Sequence, residues 1–121
     1  MEELSEDRIQ QEIVKWFNNN YCLVHHKPRG IIFSVPNGGR RTKREATKLK
    51  ATGLLSGVSD LVIIYNGKIL FLELKTKEGS QRKTQKDFGE RVKENFFEYH
   101  VSHSIDEAKE YISHWFELDV K

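Results

Sequence analysis

The chain has 121 residues, of which 37% are hydrophobic and 31% are charged. This length fits one compact domain, residues 1–121, and the composition excludes a disordered chain. The longest apolar stretch, Leu61–Tyr65, is far shorter than the roughly 20 residues that cross a bilayer, and the acidic first residues do not resemble a signal peptide. We therefore expect a soluble intracellular protein with no membrane partner.

The net charge of +2 hides a segregation of charge along the chain. Residues 25–50 contain eight Lys or Arg against one Glu, whereas residues 1–15 sum to −3 and residues 98–121 to −4. A basic middle between acidic ends is typical of a protein that docks an anionic polymer on one face, although a solvated basic helix has the same composition. The candidate DNA-binding residues are Arg40, Arg41, Lys43, Arg44, Lys48, Lys77, Arg82 and Lys83.

The first element is a predicted helix. Ser5 is a suitable N-cap, and Ile9, Ile13 and Phe17 follow at helical spacing. Glu12 lies beside this apolar stripe, which predicts that it points toward the body of the protein, although a helix-edge ion pair is an equal alternative. Residues 31–35 then read as a strand, residues 36–39 as a turn, and the basic segment up to Gly53 as a second helix.

Two apolar runs, Leu61–Tyr65 and residues 69–74, are separated by Asn66 and Gly67. This dipeptide is the strongest short-range signal of a two-residue β-hairpin, and the apolar runs favour a sheet that is covered on both sides. A helix beginning near Thr84, a strand around residues 97–101 and a helix after the capping box of residues 104–107 complete the chain. The order α, β, α, β, β, α, β, α predicts an α/β (α+β) fold.

The hairpin brings charged residues together. If Asn66 and Gly67 form the turn, Tyr65 faces Lys68, and the same register places Asp60 opposite Glu73 in a non-hydrogen-bonded pair, with Cα atoms about 4.5 Å apart. Because side chains alternate along a strand, Lys75 projects on the same face as Glu73.

Two opposed carboxylates repel each other, so a positive charge is needed between them. Mg²⁺ prefers oxygen ligands and is commonly held by one or two carboxylates with water and phosphate, which predicts a phosphodiesterase site of Asp60, Glu73 and Lys75. Glu12 and Gln85 are the candidate supporting residues. The alternative is that Asp60 only begins a strand and that Glu73 and Lys75 form an ordinary surface ion pair.

The segments PNGGRR, KATGLLSGVSDLVI and ILFLELKTKEG, followed by a Gln in the next helix, resemble the virus-type replication-repair nuclease (VRR-NUC) domain of the PD-(D/E)xK superfamily. The similarity covers nearly the whole chain. It implies a restriction-endonuclease-like mixed sheet of about four strands with helices on both faces. It also implies that Asp60, Glu73 and the Leu74 carbonyl bind Mg²⁺ or Mn²⁺, with Lys75 as the superfamily lysine.

The resemblance extends to two further positions, since Glu12 matches the first-helix glutamate and Gln85 the glutamine after the lysine. Ser59 stands where the family usually has proline. Stand-alone members of this family act on branched DNA, so the resemblance implies a structure-specific endonuclease, with a four-way (Holliday) junction resolvase acting as a homodimer preferred. Bacterial or phage-infected cytoplasm is the expected compartment. The interface candidates, which are equally core candidates, are Phe96, Phe97, Trp115 and Phe116.

Three alternatives stay open at this point. A flap or nicking nuclease has the same fold and the same site. A non-catalytic module for branched DNA would keep the basic surface without turnover. An enzyme acting on small phosphate esters is disfavoured, because the sequence has no glycine-rich loop that binds a nucleotide.

Overall fold

A computed structural model of the protein describes residues 4–36 and 42–117. Its eight elements follow the predicted order: α1 (Glu6–Tyr21), β1 (Ile31–Ser34), α2 (Lys43–Ala51), β2 (Leu61–Tyr65), β3 (Lys68–Leu74), α3 (Lys83–Glu94), β4 (Glu98–Ser102) and α4 (Ile105–Glu117). None of the helices within these ranges has the length and apolar character needed to cross a membrane.

The four strands form one mixed sheet in the order β1-β2-β3-β4. β1, β2 and β3 are antiparallel neighbours, and β4 runs parallel to β3. The predicted hairpin register is confirmed, since Tyr65 pairs with Lys68 and the main-chain ladder continues to Leu61 and Leu72. Asn66 and Gly67 have φ values of 50° and 79°, as a type I′ turn requires, and Gly adopts such a conformation without steric cost.

One face of the sheet carries the main core. Leu70, Leu72 and Leu74 alternate along β3 and are fully buried in a cluster with residues of α1 and α4. Ile13 of α1 and Ile112 of α4 are equally buried. Burial of such side chains stabilises the fold by roughly 1.5–3 kcal/mol each, and it fixes β3 against both helices.

The opposite face of the sheet is covered by α3 over β3 and β4. Phe71 of β3 packs edge-on against Phe88 of α3 with ring centroids 5.6 Å apart. Gly89 lies against the Tyr99 ring so closely that an added Cβ would lie 2.7 Å from it. Ile31 and Phe33 of β1 are exposed, so the predicted covering of both faces does not extend to the edge strand.

The start of α3 differs from the prediction. The helix begins at Lys83 with Arg82 at the N-cap, whereas Thr84 was expected near its first position. The physical reason is Gln85, whose Oε1 accepts a hydrogen bond from the Arg82 N–H at 2.8 Å and so completes the first turn two residues earlier. This early start orients Gln85 toward the sheet.

Candidate active site

Asp60 lies immediately before β2, where the main-chain ladder between β2 and β3 ends. Its Oδ2 accepts a hydrogen bond from the Leu74 N–H at 2.8 Å, so a carboxylate continues the hydrogen bonding beyond the last paired residues. This bond holds the Asp60 side chain beside the end of β3. The predicted proximity of Asp60 to the Glu73 strand is therefore present in the structure.

Glu73 is a buried acid, with 1% of its surface exposed. Its Oε2 accepts a hydrogen bond from Gln85 Nε2 at 3.1 Å and lies 3.7 Å from Lys75 Nζ. Its Oε1 is buried and has no hydrogen-bond partner among the residues that the structure describes. Burying a carboxylate oxygen without a hydrogen-bond donor costs free energy, and a bound cation would remove that cost. This oxygen is therefore a candidate metal ligand.

The surroundings raise the pKa of Glu73 to about 8. Burial is the largest cause, followed by the proximity of the Asp60 carboxylate; the Lys75 charge opposes these effects and the Glu6 charge adds to them. At neutral pH the protonated form of the Glu73 carboxyl is therefore favoured. A metal cation would relieve the same repulsion between the carboxylates.

Lys75 follows β3 and is also buried, with 10% of its side chain exposed. Its N–H donates to the Ser102 carbonyl at 2.9 Å, which extends the β3 and β4 pairing by one residue and fixes the lysine backbone. The ammonium group lies near the Glu73 carboxylate, as predicted from strand alternation. A surface ion pair is excluded as an account of these two residues, because both are largely withdrawn from solvent.

Gln85 joins the site from the first turn of α3, as the sequence predicted. Its amide orientation is fixed because Oε1 accepts from the Arg82 N–H while Nε2 donates to Glu73. Behind it, the Tyr99 hydroxyl accepts from Gln81 Nε2 at 2.7 Å and donates to the Gln85 carbonyl at 3.5 Å. Burial, followed by the Glu73 charge, raises the pKa of Tyr99, so its hydroxyl stays protonated.

The structure does not bring Glu12 to these residues. Glu12 Oε1 lies 3.2 Å from Arg8 Nη2, one turn earlier in α1, in a partly exposed ion pair. The α1 acid that acts on Glu73 is Glu6, whose charge raises the Glu73 pKa. Glu6 lies three residues before buried Ile9 and seven before buried Ile13, so it continues the inward stripe, whereas Glu12 is one residue off that stripe. This spacing is the feature of the sequence that could have identified Glu6 in place of Glu12.

The predicted DNA-binding residues divide into three groups. Arg40 and Arg41 lie outside the described residues. Lys43, Arg44 and Lys48 are exposed on α2, which contains no buried residue. Lys77, Arg82 and Lys83 are exposed on the segment that joins Lys75 to Gln85, directly beside the buried acids.

The four aromatic interface candidates also separate in the structure. Phe116 is buried in the main core and Trp115 is partly buried against it. Phe97 has 46% of its surface exposed and Phe96 has 97% exposed. Only the last two therefore stay available to a partner.

The residues fit a divalent cation with oxygen ligands. Over residues 4–36 and 42–117, no group of three or more His, Cys, Asp or Glu is arranged to hold a metal ion, so the site offers two carboxylates. Mg²⁺ characteristically uses one or two carboxylates and takes its other ligands from water and phosphate. The Glu73 Oε1 atom, buried without a donor, is the observation that supports this fit.

The comparisons with solved structures agree with this arrangement of sheet and helices. One structure described as a "VRR_NUC domain protein" has a TM-score of 0.78 and 21% identity, covering 98% of this chain and 93% of its own. A second, described as "VRR_NUC domain", has a TM-score of 0.62 and 22% identity, covering 91% of this chain and 96% of its own. No protein-family model matches the sequence, and neither does any curated protein.

The fold and the site together define an α+β domain with paired acids and a buried lysine at the end of two sheet strands. The chain has the fold of the VRR_NUC domain. The fold that the sequence resemblance implied is thereby confirmed.

Proposed function

We propose that the protein is a divalent-metal-dependent DNA endonuclease that hydrolyses phosphodiester bonds at the site of Asp60, Glu73 and Lys75. The observation that carries this proposal is the buried Glu73 carboxylate, which lies beside Asp60 and Lys75 with Oε1 lacking a donor. A structural ion pair leaves this buried oxygen unexplained, whereas a bound cation would satisfy it.

Asp60, Glu73 and the Leu74 carbonyl would hold Mg²⁺ or Mn²⁺. Such an ion supplies Lewis acidity at the phosphate and makes water a stronger acid at neutral pH. Gln85 holds the Glu73 carboxylate in one orientation, and the Leu74 N–H does the same for Asp60. Rigid ligands of this kind avoid reorganisation during the reaction.

The ammonium group of Lys75 is the group of the chain that acts on the attacking water. It neutralises negative charge on the phosphate and orients the water for attack at phosphorus. The water oxygen forms a bond to phosphorus, and the bond from phosphorus to the leaving sugar oxygen breaks. One water proton passes to solvent and the leaving oxygen takes a proton, so one water is consumed for each cut.

The substrate we propose is branched DNA. The basic residues Lys77, Arg82 and Lys83 lie on the segment between Lys75 and Gln85, where phosphates on both sides of the cut would pass. Following the family resemblance, the preferred form is a four-way junction cut by a homodimer, since a two-fold pair of sites suits a symmetric junction. Flap or nicking cleavage at the same site is the alternative form.

The experiment is a cleavage panel of labelled four-way junctions, flaps, nicked duplexes and single strands with Mg²⁺, Mn²⁺ or EDTA. We expect metal-dependent cleavage of a branched substrate by the wild type and its loss in Asp60→Asn and Lys75→Ala. Paired symmetric cuts across the four-way junction would support the homodimer. Binding of branched DNA without cleavage under any metal condition would instead establish a non-catalytic module, and cleavage of phosphate monoesters alone would exclude the proposal.

A further inference from the structure

A groove runs along one side of α3 and begins beside the candidate active site. Its first part, of about 380 Å³, lies between the segment of residues 54–56 and α3, and its lining includes Thr84. Its second part, of about 270 Å³, continues toward Phe97. The two parts share Leu55, Phe88 and Arg91 in their linings, so they form one continuous surface, here called the α3 groove.

The near wall of the groove is fixed to α3 by a close backbone approach. Gly57 has a φ of 85°, and an added Cβ would lie 2.2 Å from the Thr84 carbonyl oxygen. Only glycine allows this contact, which holds the loop before β2 against the first turn of α3. Because Thr84 lines the groove and the next residue, Gln85, bonds Glu73, the groove begins beside the candidate active site.

The lining of the α3 groove combines aromatic and cationic groups. Phe88 forms part of the floor, and Leu55 and Phe97 are partly exposed along it. Lys50 at the end of α2 and Arg91 on α3 stand exposed at its edges, and Asp87 contributes one carboxylate. Aromatic faces flanked by cations are the features by which proteins bind single-stranded nucleic acid without sequence preference.

We propose that the α3 groove binds an unpaired stretch of the DNA strand next to the scissile phosphate. This inference rests on the proposed nuclease function and names its substrate class as branched DNA with a single-stranded segment at the branch, which favours the flap form of that function over a fully paired four-way junction. Bases of that segment stack on Phe97, while Lys50 and Arg91 contact phosphates. Between Thr84 and Asn95, α3 rises about 16 Å, which is enough length for a few nucleotides.

The charge of the α3 groove favours DNA over a second copy of the chain. Its lining carries two cations, Lys50 and Arg91, against one carboxylate, Asp87, so a two-fold contact centred on the groove would bring together two surfaces of the same net positive charge, which repel each other. Paired duplex DNA is disfavoured as well, because its bases are stacked inside and cannot reach an apolar floor. An unpaired strand offers both phosphates and exposed base faces.

The test measures the fluorescence anisotropy of a short labelled oligothymidine with the full chain in EDTA, so no cleavage is required. We expect Phe97→Ala to weaken binding about 5-fold or more, as loss of a stacking platform does. Arg91→Glu should weaken it by roughly tenfold, since binding depends on phosphate contacts. The matched controls are Phe96→Ala, which removes the neighbouring exposed aromatic outside the groove, and Lys93→Glu, which makes the same charge change elsewhere on α3. Both controls should bind within about twofold of the wild type.

Three results would overturn the groove assignment. The first is unchanged oligothymidine binding in both groove variants, and the second is an equal weakening of oligothymidine binding in the control variants. The third is an altered sedimentation coefficient of the groove variants without a change in oligothymidine binding, which would indicate that the groove binds a second copy of the chain. Phe97 is partly exposed, so Phe97→Ala leaves the main core intact. Arg91→Glu tests the groove independently of any aromatic packing. If the wild type cleaves branched DNA but the groove variants bind oligothymidine as tightly as the wild type does, this inference alone is refuted. If the groove variants bind oligothymidine more weakly but the wild type cleaves no DNA substrate, the proposed function alone is refuted.

Discussion

The Asp60 carboxylate is held beside the buried Glu73 side chain by the hydrogen bond that it accepts from the Leu74 N–H, one residue after Glu73 in β3. Glu73 is buried, and its pKa is raised to about 8 by that burial first and then by Asp60. At neutral pH these effects favour the protonated form of the Glu73 carboxyl, and a bound cation would have to displace that proton. This relationship governs how stability and metal binding depend on pH.

The first prediction concerns the stability of the metal-free protein. Between roughly pH 4.5 and 8 the folded chain keeps a proton on Glu73 that the unfolded chain has released, so stability falls as pH rises through this range. Glu73→Gln removes that loss and supplies an amide that donates to Asp60. We expect its Tm in EDTA to exceed that of the wild type by about 4 °C or more at pH 9, with no gain at pH 4. An equal Tm of the two proteins at pH 9 would show that burial does not raise the pKa of Glu73.

The second prediction concerns the affinity for Mn²⁺. Below about pH 8 the ion must displace the Glu73 proton, so its apparent affinity should rise about tenfold per pH unit between pH 6 and 8. Calorimetric titration in two buffers of different ionisation enthalpy would measure close to one proton released for each ion bound. An affinity that does not change across this range would contradict the assignment of Glu73 as a ligand.

The third prediction separates the two glutamates of α1. Glu6 raises the pKa of Glu73, so Glu6→Gln should lower it and move the pH dependence of Mn²⁺ binding to lower pH. Glu12→Gln is the matched control, because it removes only an ion pair with Arg8 that contributes a few tenths of a kcal/mol. The same titrations measure both variants. A shift with Glu12→Gln and none with Glu6→Gln would restore the original sequence-based assignment.

The fourth prediction concerns Gln85. Gln85→Ala removes the donor to Glu73 Oε2 and should reduce Mn²⁺ affinity or kcat about 10- to 100-fold, as loss of a group that orients a metal ligand does. It also removes the acceptor of the Arg82 N–H, at a cost of about 1 kcal/mol in unfolding free energy. Gln81→Ala is the control, because Gln81 bonds the Tyr99 hydroxyl and not Glu73. Equal effects of the two variants would assign Gln85 a structural role only.

The sequence predicted the approach of Asp60 to Glu73 because one local signal determined it. Asn66 and Gly67 specify the turn, and the turn specifies the register, which ends at Leu61 and Leu72 with Asp60 and Glu73 as the next residues. No tertiary information was needed for this step. The eight elements followed from periodicity and caps in the same way.

The sequence-based account of the supporting residues was weaker, because they depend on contacts between distant segments. The first turn of α3 is set by the Gln85 side chain, which a search for small polar caps does not find. Glu12 and Glu6 both flank the apolar stripe of α1, and the finer spacing of Glu6 from the buried Ile9 and Ile13 was the feature that distinguished them. The α3 groove likewise depends on the approach of Gly57 to Thr84, which no local pattern encodes.

The central claim is that a divalent cation binds between Asp60 and Glu73. Anomalous diffraction from crystals soaked in saturating Mn²⁺ tests it most directly. The account predicts an anomalous peak bonded to both carboxylates in the wild type and its loss in Asp60→Asn. A peak elsewhere in the protein, or none between these two carboxylates at saturation, would contradict the account.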